Sequence, residues 1–190
     1  MNQKKAVCVV LGLVALTVSV RWACLAASFS LQSGYRAQAA LKEISIPEMV
    51  CGEMPEQMPV QNTDSGSFVG ILDIPALRLE LPVQEKWSEA HLQTAPCRYA
   101  GTAYAKGFVI AAYDYRHHFG QIETLRTGDS VFFTDVQGRK IAYTVQAVET
   151  LPHAAGTATD PQWDLTLFTY SPDGGDRVAV RCEMQNGLTS

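Results

Sequence analysis

Basic side chains are scarce beyond the first 31 residues of this 190-residue chain. Residues 32–190 hold 12 Lys and Arg against 19 Asp and Glu, a net −7. A segment that acidic offers no electrostatic footprint for nucleic-acid backbones, so DNA and RNA are excluded as partners. Several catalytic signatures are also missing: there is no G-x-S-x-G, no Gly-rich phosphate loop and no calcium-loop pattern. Metal-ligand spacing is absent too. His117 and His118 are adjacent and would face opposite sides of a strand, while His91 and His153 have no neighbour at ligand spacing. These histidines are expected at the surface or in packing, with no metal and no cofactor. Cysteine is limited to five. Cys8 and Cys24 fall in an apolar N-terminal stretch, and Cys51, Cys97 and Cys182 lie outside it at no metal-ligand spacing. A Cys97–Cys182 disulfide and a pair of buried thiols are both open, the thiols being the plainer reading. No internal repeat is visible.

What is present begins with an address. Residues 1–31 carry Lys4, Lys5 and Arg21 and no acid. Residues 6–20 are uncharged, and a second apolar stretch runs on to Leu31. Fifteen residues make roughly 22 Å of helix, short of a ~30 Å hydrocarbon core, but extension to about Ala27 makes a span. Arg21 would then snorkel at the outer end. Lys4 and Lys5 favour a cytoplasmic N-terminus. A cleaved signal peptide is the competing reading, because the run is also of signal length. Either one exports the remainder. The expected localisation is the cell membrane, single-pass, with the C-terminal domain extracellular.

Three segments follow from composition: 1–31 as anchor or signal, 32–66 as helical stalk and linker, and 67–190 as the folded domain. Residues 32–46 are rich in Ala, Leu, Gln and Glu, with Ser33 as a candidate N-cap. Residues 47–66 hold three Pro and three Met without a sustained period, a linker composition. From Ser67 onward short β-rich runs alternate with turn residues, the pattern of an all-β barrel or sandwich. Strands are predicted over 68–74, 77–83, 107–112, 130–134, 140–150, 164–170 and 177–183, with a short helix over 87–93. In the last strand Val178, Val180 and Cys182 are predicted to face the core, with Arg177, Ala179 and Arg181 opposite.

Three stretches carry a family resemblance: GILDIPALRLELPVQEKWSEAHLQTAPCRYAG (70–101), VIAAYDYRHHFGQIETLRTGDSVFFTD (109–135) and WDLTLFTYSPDGGDRVAVRCE (163–183). In content, order and spacing they resemble the sortases, most nearly the class B-like sortases of Gram-positive Firmicutes. The resemblance covers 67–184 and implies a mainly all-β fold: an eight-stranded barrel with short helices, preceded by an N-terminal membrane helix. It also implies an activity, cleavage of a C-terminal sorting signal and transfer of the acyl group to a cell-wall or pilin amine.

The family's catalytic residues carry over unevenly. Its nucleophile is a Cys ending a T-L-x-T-C pattern; here the pattern reads Thr166-Leu167-Phe168-Thr169-Tyr170. Its proton donor is the His of an A-G-H pattern; here that reads Ala111-Ala112-Tyr113. Its substrate-binding Arg corresponds to Arg177, which is retained. A thiol with a pKa near about 8.5 supplies some thiolate at neutral pH, whereas a phenol near about 10 supplies far less. His118 lies in a Tyr-Arg-x-His-Phe-Gly segment that active relatives also carry, so it is expected to be structural. No catalytic set is intact, and Arg177, Tyr113 and Tyr170 are the expected substrate-binding residues. The first expectation is a pseudo-sortase whose groove binds a sorting-signal-like peptide or serves an active sortase or pilin partner. Its alternative is a working transpeptidase with a displaced nucleophile. Whether the two tyrosines bind a ligand or simply fill the vacated groove is left open at this level.

Overall fold

The computed structural model describes residues 2–48, 55–152, 159–170 and 175–185. The chain divides into two compact units, residues 1–32 and 33–190. Unit 1 is helical throughout its described length, part of a helix α1 that spans Asn2–Glu43. Val14, Leu16, Val18, Val20, Leu25 and Leu31 are exposed on it. Among the described residues no helix is long and apolar enough to cross a membrane. The side chains of residues 1–13, which hold about half of the uncharged run, lie outside that description.

In unit 2 the strands are β1 (Gln61–Thr63), β2 (Gly66–Ile74), β3 (Leu79–Gln84), β4 (Cys97–Ala100), β5 (Phe108–Tyr113), β6 (Ser130–Asp135), β7 (Lys140–Leu151), β8 (Leu165–Tyr170) and β9 (Arg177–Met184). Their order is β1-β2-β3-β4-β5-β8-β9-β7-β6, and β2 pairs again with β6. That second pairing closes an eight-stranded barrel, β2 through β9, with β1 as a short appendage on β2. Closure brings β2 between two partners at Gly70, which pairs with Val83 on one side and Asp135 on the other. A Cβ at Gly70 would lie 2.2 Å from the Thr134 carbonyl oxygen, so the seam has no room for any other residue. Pro82 is accommodated because β4 joins β3 only at Gln84↔Cys97, leaving the proline on an otherwise open edge.

The β6–β7 turn is organised by one buried carboxylate. Asp135 Oδ1 accepts from the backbone N–H groups of Gln137 and Arg139, and Oδ2 accepts from the Tyr104 hydroxyl at 2.5 Å. Gly138, at φ +85°, supplies the left-handed residue the turn requires. Helix α2 (Glu89–Leu92) starts at Ser88, whose side chain accepts from the His91 N–H, a conventional N-cap.

Two predicted details are corrected. The second strand was expected from residue 77, but Pro75–Leu77 is a 3-10 turn, and Arg78 takes a left-handed φ of 53° before β3 begins at Leu79. Proline pre-sets φ for the turn, which overrides the alternation of leucines there. Ser33 is not an N-cap either, since α1 runs through it without a break. Its hydroxyl instead donates to the Gln93 carbonyl at 2.7 Å and lies 3.1 Å from His118 Nε2. A hydroxyl has one proton to give, so His118 Nε2 must be the donor in the second contact. Gly34 allows this approach, for a Cβ there would lie 2.9 Å from the His117 side chain. Ala37 and Ala40 are buried further along the same helix. The segment read as linker contributes β1 and, through Met58, a residue of the barrel core. Residues 49–54, including Cys51, lie outside the described residues, as does His153.

Candidate functional site

The strand period of two divides β5, β8 and β9 between two apolar clusters. Phe108, Ile110, Leu165, Leu167, Val180 and Cys182 point into the barrel. Val109, Ala111, Tyr113, Phe168 and Ala179 form a second cluster on the outer face with Leu92 and Cys97. Val180 and Cys182 thus face the core as predicted. The opposite face of β9 is also covered, because Ala179 and Arg181 are buried.

The parallel register of β5 and β8 brings the predicted residues together. Tyr113 is paired with Tyr170, and Ala111 with Phe168. Phe168 is in turn paired with Ala179 of β9, on which Arg177 sits two residues earlier and therefore on the same face. The Tyr113 and Tyr170 rings are 5.8 Å apart at 55°. The Arg177 guanidinium lies 5.6 Å from the Tyr170 ring centroid and 5.9 Å from that of Phe168. Both are cation–π distances. Arg177 Nε is buried with no hydrogen-bond partner among the described residues. The Tyr170 hydroxyl donates a long 3.4 Å bond to Glu89 Oε1.

Sequence reasoning missed the aromatics that extend this row. Trp87 packs edge-on to Tyr170 at 5.9 Å and to Tyr99 at 5.8 Å, and Tyr99 packs on Phe168 at 5.1 Å. Tyr115 lies 5.0 Å from Tyr113 on the other side. Each such pair contributes about 0.5–1.5 kcal/mol beyond its burial. The one available signal was the presence of aromatics flanking the short helix, and that alone does not fix a shared face.

Electrostatics set the chemistry. Burial raises the Tyr113 phenol above its ordinary value, with Tyr115, Glu89, Tyr170 and Cys97 adding to the effect. Tyr113 is therefore a neutral hydroxyl at physiological pH. Cys97 is the thiol on this face, buried against the same cluster, and burial pushes its pKa up to about 12. Its thiolate fraction at pH 7 is then roughly one in 10⁵. Cys182 is raised to about 12 as well, by burial in the barrel interior. Both are free thiols, so the disulfide alternative is not realised. Their positions on opposite faces of the barrel wall explain why. Neither should react with an aromatic disulfide reagent in the folded chain, and both should react once urea unfolds it. Fast labelling of Cys97 under native conditions would mean that the second cluster is open.

Among the described residues no histidine makes a ring contact or hydrogen bond with Tyr113, Tyr170 or Arg177. His118 is fully buried beside Tyr115, ring to ring at 5.9 Å, with Nε2 engaged by Ser33 and Nδ1 unpartnered. It is the structural histidine expected. His91 Nδ1 pairs with the Lys86 carbonyl at 2.9 Å. Among the described residues no cluster of His, Cys, Asp or Glu could hold a metal.

Residues 72–185 match the family model for the sortase domain. The chain belongs to the sortase family. Solved structures similar to this sortase include sortase C of Streptococcus pneumoniae, at 20% identity and a TM-score of 0.59, covering 86% of this chain and 91% of that one. Listeria monocytogenes sortase A matches at 20% identity and TM-score 0.57, covering 63% of this chain and 88% of that one. A Clostridium perfringens sortase D5 transpeptidase matches at 16% identity and TM-score 0.55, covering 63% and 79%. No curated protein sequence matches the chain. These three neighbours are of classes C, A and D, so they lend no weight to the class B-like reading. At such identities they bear on the fold alone.

Proposed function

We propose that this sortase is a membrane-anchored pseudoenzyme that binds a peptide in the groove where its active relatives form a thioester. The single observation that carries the reading is the pairing of Tyr113 with Tyr170, whose ring lies under Arg177. Two rings occupy the strand-end positions that, by motif, belong to the imidazole and the thiol. Phenols in those places provide an apolar face and a polar tip. Arg177 provides a planar fork for a carboxylate or a backbone carbonyl. The burial of Cys97 supports the same reading, since the described thiol on this face lacks thiolate character. Residues 6–27 would anchor the chain with Lys4 and Lys5 inside and the barrel outside. The ligand would be a sorting-signal-like peptide, presented alone or by a pilin or an active sortase.

The test uses the full chain, a fluorescent sorting-signal peptide and a primary amine. The expected result is saturable peptide binding, weakened at least about tenfold by Arg177→Gln, with no transfer product and no covalent adduct. Turnover that Tyr170→Phe abolishes would overturn the pseudoenzyme reading in favour of a displaced nucleophile.

A further inference from the structure

A concavity adjoins the aromatic row, where β3 and β4 part. β3 leaves the sheet after its pairing at Gln84↔Cys97, and the two chains diverge around a cleft of about 490 Å³. Its walls are Trp87 and Tyr99, both more than a third exposed, and its charged lining is Glu85, Lys86 and Arg98. Arg98 spans the divergence. Its Nε donates to the Glu85 carbonyl at 3.0 Å and its Nη1 to the Gly101 carbonyl at 3.5 Å. These are bonds to neutral oxygens, so the guanidinium is held in position while its charge stays unbalanced. Lys86 Nζ lies 3.8 Å from the Glu85 carboxylate, in a pair whose lysine is 74% exposed. An exposed pair of this kind holds its lysine weakly. The cleft therefore presents two cations against one acid, in a chain whose net charge is −4.

The cleft also borders the aromatic row around Arg177. Trp87 touches Tyr170, and Tyr99 touches Phe168, the two rings that carry Arg177. Arg177 lies 5.9 Å from the Phe168 ring and that ring 5.1 Å from Tyr99, so guanidinium and cleft wall are at most about 11 Å apart. An extended peptide at about 3.3 Å per residue covers that upper bound in about three residues.

We propose that the Trp87–Tyr99 cleft is an acidic-residue subsite, taking an Asp or Glu of the bound peptide about three residues from the residue seated at Arg177. Charge complementarity selects an anion. The aromatic walls select a side chain with an apolar stem, and Arg98 gives the carboxylate a pre-oriented partner. This inference rests on the peptide-binding reading of the groove, and the test separates the two.

Fluorescein-labelled sorting-signal peptides are prepared with Glu, Gln or Lys three residues before, and in a second series three residues after, the motif threonine. Binding to the full chain is followed by anisotropy. In one series the Glu peptide should bind about tenfold more tightly than the Gln peptide, the Lys peptide should bind least, and the preference should shrink with added salt. Lys86→Glu, a change at an exposed side chain, should remove the preference for Glu over Gln. Arg98→Gln should weaken the Glu peptide selectively. Equal affinity for all three peptides in both series overturns the subsite while leaving the groove reading in place. Absence of binding by every peptide overturns the groove reading and the subsite with it. Displacement of the Glu peptide by N-acetylglucosamine oligomers that Trp87→Ala abolishes would make the cleft a sugar platform and overturn the acidic assignment.

Discussion

A chain carrying Tyr113→His with Tyr170→Cys should become covalently reactive toward a thiol-directed sorting-signal analogue, with labelling at least about 10³-fold faster than in the parent. The register justifies the size of the effect. Residues 113 and 170 are paired across neighbouring parallel strands on one face, so their Cβ atoms stand about 5 Å apart. An imidazole and a thiol grown from those positions fall within hydrogen-bond reach. An imidazolium neighbour then lowers the thiol pKa from about 8.5 toward neutrality. Arg177, already beside position 170, would stabilise the thiolate and later the oxyanion. Removing two phenol rings also opens the groove. Ala112→Gly, which restores the small residue the family motif places before the histidine, should raise the rate further. A double variant that folds but labels no faster than the unfolded chain would show that the groove itself has been remodelled, beyond the loss of two side chains. Mass spectrometry of the adduct, with urea-unfolded protein as the reference for intrinsic thiol reactivity, makes the measurement.

Acid should loosen the same domain through His118. Burial lowers the His118 pKa from about 6.5 to about 4, the His117 charge adds to that, and the Ser33 hydrogen bond opposes it. Above about pH 6.5 both folded and unfolded chains hold a neutral imidazole, and the full stability is present. As pH falls from 6.5 toward 4 the unfolded chain takes up a proton that the folded chain refuses, so stability drops through that window. Below about 4 both states are protonated and this contribution levels off. At about 1.4 kcal/mol per pH step the loss is about 3 kcal/mol in all. Urea midpoints measured across pH 4–7 should follow that curve. His118→Gln keeps a donor for Ser33 and cannot titrate, so the difference between parent and variant should shrink as pH falls and invert near its lower end. A constant offset at every pH would mean that His118 titrates alike in both states.

Much of the barrel was legible because its strands alternate or are bounded by turn residues. β5, β6, β7, β8 and β9 fall within one or two residues of their predicted ends. β1 and β4 escaped notice, having three and four residues and no period long enough to detect. Ser33 escaped for a different reason. Helix propensity placed a start there, whereas its role depends on Gln93 and His118, 60 and 85 residues away. The motif positions named Tyr113, Tyr170 and Arg177, and it is the β5–β8 and β8–β9 pairings that bring the three onto one face. Trp87 and Tyr99 were out of reach, since their place beside Tyr170 and Phe168 depends on a loop path and a parallel pairing that no local pattern encodes.

The closing seam at Gly70 bears on how this molecule can be touched. Among the described strands the rolled sheet leaves two short open edges, the three-residue β1 and β3 ahead of its single pairing at Gln84, where Pro82 removes a donor. Where β3 and β4 part, Arg98 already occupies the neighbouring carbonyls. With so little edge to follow, visitors are recognised by rings and charges more readily than they are stitched on as an extra ribbon.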